Sequence, residues 1–401
     1  MNRRALPILA AFLCMGFVDG VGAFVGLAQD HFKNLSSLEA MLIPCVGYIA
    51  FGFLSVPVGI LQDRTGKKTI LLAGLTIALI GTAISWSGLT KYPVFLTTIL
   101  LMGIGTAVLQ VAGNPIMRDV SDPKFYSRNL SIGQCVKAVG SISGSLVPAL
   151  LAQFSVALAA VGIVKDWQVL FPMYAVAFAI TVVWVGLTKI EEHRDAGAKP
   201  ASLGSCLALL GNPYVLTMVL GIFLYVGTEA CISANVAPYL KDRFSVDLKT
   251  WGILGNSLFF VCLLAGRFAG SVVLNWLSAA KFLAFTVLVA IAGLVGLLFA
   301  QSTAVGILCI VLAGLGCANV FPLIFSIAVN HMPQRTNEIS GLMITAIVGG
   351  ALVPLAMGVV ADKTGSKTMA FVVPLACALY LLVSAVVALK TAATETTEAA
   401  A

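Results

Sequence analysis

MGIGTA at residues 102–107 returns as AGLGCA at 313–318, an offset of 211 residues. Each run of small residues lies inside a long apolar stretch, and two further correspondences follow in the same order. SLVPAL at 145–150 matches ALVPLA at 351–356, and Pro172 matches Pro374, with offsets of 206 and 202. Offsets that drift slowly are expected of two copies of one unit whose loops differ in length. The longest charged break, KIEEHRDAGAKPASLGSCLALLGN at 189–212, falls between the copies.

Apolar stretches surround each of these motifs. A span of about 20 predominantly apolar residues crosses roughly 30 Å of hydrocarbon, and twelve such stretches are separated by short polar breaks. Their limits are near 5–29, 40–62, 69–88, 93–117, 129–153 and 168–188, then 213–238, 250–275, 281–300, 303–329, 338–361 and 369–390. With 59% hydrophobic and 10% charged residues in 401, the chain has too little polar surface to cover a soluble globule. The expected fold is an all-α membrane protein of twelve transmembrane helices in two pseudo-symmetric six-helix bundles around a central cavity. Its parts are an N-terminal bundle at 1–188, a cytoplasmic linker at 189–212, a C-terminal bundle at 213–390 and a cytoplasmic tail at 391–401. Repeats related by an axis along the membrane normal are the architecture of carriers that bind substrate near mid-membrane and alternate access.

The first apolar run follows Met1-Asn2-Arg3-Arg4 but is longer than a signal core and contains Asp19, so it reads as a retained span. Most Lys and Arg residues fall in segments on the same side as both termini, which places the termini in the cytoplasm by the positive-inside rule. The net charge of +7 is then a topology signal and does not point to nucleic acid. The nine cysteines sit mostly inside apolar spans and read as small packing residues. His31, His193 and His331 fall in predicted loops, and nothing has metal-ligand spacing. No nucleophile with an adjacent base and no phosphate-cradling glycine loop is present, so the chain reads as neither an enzyme nor a cofactor binder.

GILQDRTGKK at 59–68, between the second and third spans, resembles the G-x-x-x-D-R-x-G-x-K/R loop of the major facilitator superfamily. The resemblance implies a gating role for Asp63, Arg64, Lys67 and Lys68 through charge-assisted bonds at the cytoplasmic mouth. Other stretches narrow it. GFVDG at 16–20, LQVAGNP at 109–115, LSIGQCVKAVGSI at 130–142, YVGTEACIS at 225–233, GRFAGS at 266–271, FPLIFSIA at 321–328 and AIVGGALVPLAMGVVADKTG at 346–365 are similar to the fucose–galactose–glucose proton symporter family. That similarity implies a monomeric proton-coupled monosaccharide importer of the bacterial inner membrane, with Asp19 as the coupling acid. Gln134 matches a glutamine of the family's fucose-transporting members. Those members carry a glutamate where this chain has Gln110 and an asparagine where it has Lys137.

Lys137 is the residue that most needs explaining. It lies about 6–10 Å inside the span boundary by the helical rise, too deep for a terminal anchor. Ionisable groups at such depth face a watery cavity and pair with an opposite charge. Gln134, three residues earlier, shares its helical face, and Gly133, Gly140 and Gly144 allow another helix to approach closely. Asp19 is the expected partner. Protonating Asp19 would then release Lys137 to bind substrate, coupling proton and sugar without a second carboxylate. Gln110, Glu229, Asn256 and Asn319 are further candidate substrate ligands, and Arg267 reads as a packing or gating residue. Three substrate readings remain open: a neutral hexose, an anionic sugar or organic acid drawn by Lys137 with proton or sodium coupling, and an exported amphiphile.

Overall fold

The computed structural model describes residues 5–19, 28, 31–32, 37–86, 91–151, 169–192, 202–246 and 256–400. Among these the secondary structure is helical, with no strand. The first half consists of α1 (Leu6–Asp19), α2 (Ser37–Thr65), α3 (Lys67–Trp86), α4 (Tyr92–Asp119), α5 (Tyr126–Leu151) and α6 (Leu170–Leu187). A short helix, α7 (Leu203–Leu209), lies in the connecting segment, and α8 (Pro213–Phe244), α9 (Asn256–Val273) and α10 (Ala279–Phe299) follow.

Two of the predicted spans are interrupted. The tenth is divided into α11 (Thr303–Cys317) and α12 (Val320–His331), with Ala318 and Asn319 between them. The eleventh is divided into α13 (Thr336–Thr345) and α14 (Gly349–Thr364), joined by a 3-10 turn at Ala346–Val348. The last helix, α15 (Val372–Ala400), carries the twelfth span and continues through most of the segment expected to be a tail.

Among the described residues, nine helical segments are long and apolar enough to cross a membrane. The described parts of α1 and α9 are apolar but shorter. α5 is the least apolar of the long helices, because it carries Arg128, Asn129, Gln134 and Lys137. Local signals set several ends. Pro213 opens α8, and Asn212 Oδ1 accepts from Tyr214 N at 2.9 Å, satisfying a donor that the first turn leaves free. Gly66, at φ 96°, makes the left-handed turn from α2 into α3 that a side chain would strain. Phe53, Leu187, Trp276 and Phe299 are among many large apolar side chains left exposed, as lipid-facing positions are.

By contacts the chain forms two compact units, Met1–Asp122 with Gly133–Leu203, and Pro123–Ile132 with Gly204–Ala401. In lipid, close helix contact depends on small residues, and the same crossings are built in both units. A Cβ at Gly105 of α4 would lie 2.6 Å from Gly74 O and 2.8 Å from Ala78 N of α3. A Cβ at Gly316 of α11 would lie 2.7 Å from Thr286 O of α10 and run into Ala290 N. Gly316 stands 211 residues after Gly105, and Thr286 and Ala290 stand 212 after Gly74 and Ala78. The MGIGTA and AGLGCA runs are therefore the same helix–helix contact made twice.

Candidate functional site

In the first unit, α1 and α5 touch backbone to backbone. A Cβ at Gly140 would run into the Leu13 carbonyl, and one at Gly16 would run into the Lys137 carbonyl and sit 2.8 Å from Ser141 N. Aromatic packing holds the other side of α1 against α6: Phe17 stacks on Tyr174 with ring centroids 4.0 Å apart and meets Phe178 edge-on at 5.6 Å. The Tyr174 hydroxyl lies 3.0 Å from Ser143 Oγ of α5, so α1, α5 and α6 are fixed together.

That framework brings Lys137 Nζ to 2.8 Å from Asp19 Oδ2. The two side chains are 11% and 27% exposed, so the ammonium is nearly enclosed while the carboxylate keeps an open side. Gln134 is buried on α5 one turn before Lys137, and Gln110 is buried on α4 one turn before the buried Asn114. Removing one member of a buried ion pair costs roughly 3–5 kcal/mol, because the other charge is left uncompensated. Neutralising Asp19 therefore favours whatever supplies Lys137 with new acceptors.

The second unit contains another acid–base pair. Glu229 of α8 has Oε1 3.7 Å from Arg267 Nη2 of α9, with side chains 23% and 10% exposed. Arg267 also donates from Nε to the Ala318 carbonyl at 3.1 Å, in the break between α11 and α12. Asn319 closes the same corner: its Nδ2 donates to the Gly266 carbonyl at 2.7 Å, and its amide fills the place a Cβ would take at Gly270. The Asn319 donor is thus engaged by the α9 backbone, while its buried Oδ1 accepts no hydrogen bond among the described residues. Arg267, read from its span as a packing or gating residue, thus has an acidic partner that span composition does not reveal. The only signal was a polar residue in each of two spans, which does not say that they meet. The side chain of Asn256 lies outside the described residues, as does His193.

The basic loop is tied within the first unit. Lys67 Nζ lies 2.6 Å from Asp119 Oδ2 at the end of α4, with side chains 6% and 1% exposed. Glu192 accepts from the Lys67 and Lys68 backbone nitrogens at 2.9 Å each, placing a carboxylate at the positive end of α3. Lys68 Nζ donates to the Gly186 and Thr188 carbonyls at 2.8 and 2.9 Å, where α6 ends. Asp63 is half-buried and Arg64 exposed. Lys67 and Lys68 thus join α3 to α4 and α6, and Asp119 and Glu192, which sequence reading passed over, are the groups that hold them. Asp119→Asn, which leaves Lys67 uncompensated, is expected to destabilise the protein by roughly 3 kcal/mol. A thermal shift of the purified protein checks this, with Arg64→Ala, at an exposed site, expected to change little.

Among the described residues, no group of three or more His, Cys, Asp or Glu side chains is placed to hold a metal ion. Residues 8–353 match the family model described as Major Facilitator Superfamily. The chain is 29% identical over 380 residues to a glucose/galactose transporter of Brucella abortus biovar 1 (strain 9-941), covering 92% of this chain and 90% of that protein. It is 24% identical over 373 residues to the L-fucose-proton symporter of Escherichia coli (strain K12), covering 86% and 83%. Among solved structures, it resembles the crystal structure of the transporter FucP in the outward conformation, with a TM-score of 0.82 and 22% identity over 96% of this chain and 99% of that one. That likeness is one of fold, and the fold is that of a multi-pass membrane transporter.

Proposed function

The chain belongs to the Major Facilitator Superfamily, and from that premise we propose that it imports a neutral hexose by proton symport with alternating access. The setting is a bacterial inner membrane, with both termini cytoplasmic. The observation that carries the proposal is the 2.8 Å contact between Lys137 and Asp19 inside the first bundle. In the empty carrier the pair neutralises itself. When a proton from the acidic side reaches Asp19, the ammonium loses its partner, and sugar hydroxyls become the acceptors that compensate it. Gln134, buried one turn earlier on the same face of α5, is the further polar residue proposed to contact the ring. Loss of the proton on the other side restores the pair and expels the sugar, because the carboxylate competes for the ammonium.

The names of the relatives, glucose/galactose transporter and L-fucose-proton symporter, support a monosaccharide and a proton. Asp63, Arg64, Lys67 and Lys68 are proposed to hold the cytoplasmic ends of the first bundle rigid during the cycle.

The test is uptake by the full chain in proteoliposomes under an imposed proton or sodium gradient, with labelled D-glucose, D-galactose, L-fucose and D-glucuronate. Accumulation of a neutral hexose driven by protons and not by sodium is expected. Accumulation of the uronate alone, or driving by sodium alone, would overturn the reading.

A further inference from the structure

We propose that Glu229 is a permanently ionised acceptor for two neighbouring hydroxyls of the sugar, held in place by Arg267, and that it sets substrate specificity without taking part in proton coupling. This rests on the reading of the chain as a carrier of neutral hexoses.

The argument begins with the internal repeat. At the α1–α5 crossing, the space of a Cβ at Gly140 is occupied by the Leu13 carbonyl. At the crossing of α8 with α14, the space at Gly349 is occupied by the Phe223 carbonyl. Phe223 stands 210 residues after Leu13, and Gly349 stands 209 after Gly140, so α1 corresponds to α8 with an offset of 210. The same offset carries Asp19 to Glu229. The two acids therefore occupy one position in the two copies, each with about a quarter of its side chain accessible: 27% for Asp19 and 23% for Glu229.

The bases do not correspond. Lys137 maps onto Ala346 by the Gly140–Gly349 offset of 209, or onto Met343 by the SLVPAL–ALVPLA offset of 206, and neither residue is charged. Glu229 takes its cation from α9 instead, and that cation differs in two ways. Lysine is a compact charge on a flexible stem with rotatable donors, whereas arginine is a rigid fork that stays protonated at any physiological pH. Arg267 is moreover held by the Ala318 carbonyl at 3.1 Å, in a corner closed by Asn319. An exchange of partners needs a base that swings away, and Arg267 is anchored. Protonating Glu229 would leave a fixed guanidinium uncompensated, so the carboxylate stays ionised throughout the cycle.

An ionised carboxylate has about four acceptor positions. At 3.7 Å from Arg267, Glu229 Oε1 is beyond ordinary charge-assisted hydrogen-bond distance, so the guanidinium supplies charge and leaves lone pairs available. Tyr225, buried one turn earlier on α8, lies beside the carboxylate and closes one side of it. The open side suits two adjacent ring hydroxyls, each donating to one oxygen. A uronate's ionised carboxylate, which has no proton to donate, cannot satisfy these acceptor positions. Arg267 acts through Glu229 and is a positioning residue.

The experiment compares wild type, Glu229→Gln, Glu229→Asp and Arg267→Lys in proteoliposomes. It measures counterflow of D-galactose and D-glucose, their deoxy analogues and D-glucuronate, and proton-driven accumulation at saturating sugar. Glu229→Gln is expected to raise KM for the hexose roughly 10- to 100-fold, as loss of hydrogen bonds to a charged group does. The accumulation ratio and the pH profile at saturating sugar should stay those of wild type. One deoxy position should cost wild type affinity and cost Glu229→Gln much less. Arg267→Lys should raise KM and leave coupling intact. An unchanged KM in Glu229→Gln, or normal counterflow with lost accumulation, would overturn the proposal, the second outcome making Glu229 the coupling acid. Should Glu229→Gln not purify as a monodisperse protein, Glu229→Asp carries the test. It keeps the charge but shortens the reach, so a severalfold rise in KM supports the proposal and no rise overturns it. Wild type that moves none of the hexoses would instead remove the carrier reading on which the inference rests.

Discussion

Replacing Asp19 with asparagine is expected to abolish uphill sugar uptake while leaving sugar exchange intact. The amide fixes the first bundle in the electrical state of the protonated carrier: Lys137 has no anionic partner and is open to hydroxyls at every pH. Sugar still binds and crosses, so counterflow persists, and it should lose its dependence on pH. What disappears is the linkage. Without a proton to gain and lose, the accumulation ratio under an acid-outside gradient falls to about one, because a gradient that binds nothing shifts nothing. The uncompensated ammonium at 11% exposure should also lower thermal stability by roughly 3 kcal/mol. Sugar should recover part of that loss, which a thermal-shift titration would read directly.

Replacing Lys137 with alanine is expected to damage both halves of the cycle. The sugar loses a charged donor, worth roughly 1.5–3 kcal/mol, so kcat/KM for counterflow should fall roughly 10- to 100-fold. Accumulation should fail as well, since protonation of Asp19 no longer uncovers anything that sugar can satisfy. Stability should suffer less than in Asp19→Asn. The carboxylate left behind keeps an accessible side, 27% exposed against 11% for the lysine, and water can solvate it. The double variant Asp19→Asn/Lys137→Ala removes both charges and should be more stable than Asp19→Asn alone. That difference, measured as a double-mutant cycle, isolates the pair. If Asp19 and Lys137 acted independently, the two losses would simply add.

The long-range order of this protein is written in its small and apolar residues. Glycine spacing in MGIGTA and AGLGCA identified two copies of one helix–helix contact, because close approach of backbones in lipid leaves little choice of residue. Lys137 was legible for a related reason: a charge two turns inside a span demands a partner, and few acids lie in the same half. Glu229 and Arg267 were each visible as polar residues in spans, but their pairing was not. It follows from how α9 crosses α8 and the broken α11–α12 segment, and no periodicity in the sequence specifies that crossing. Asn319 was legible as a polar residue within a span, but its bond to the Gly266 carbonyl depends on the break between α11 and α12 and was not. Lys67 and Lys68 were legible as a motif, whereas Asp119 and Glu192 come from distant helix ends whose proximity only folding provides.

On the proposed mechanism, sugar and proton bind to the same carrier because protonating Asp19 releases the Lys137 ammonium that the sugar then engages. The most direct measurement is of protons taken up when D-galactose is added to purified, weakly buffered full-length protein, at a pH where the empty pair is intact. By linkage, wild type should take up about one proton per sugar bound, and Asp19→Asn should bind sugar and take up none. Proton uptake that persists in Asp19→Asn, or sugar binding by wild type with no proton uptake at any pH, would contradict the account.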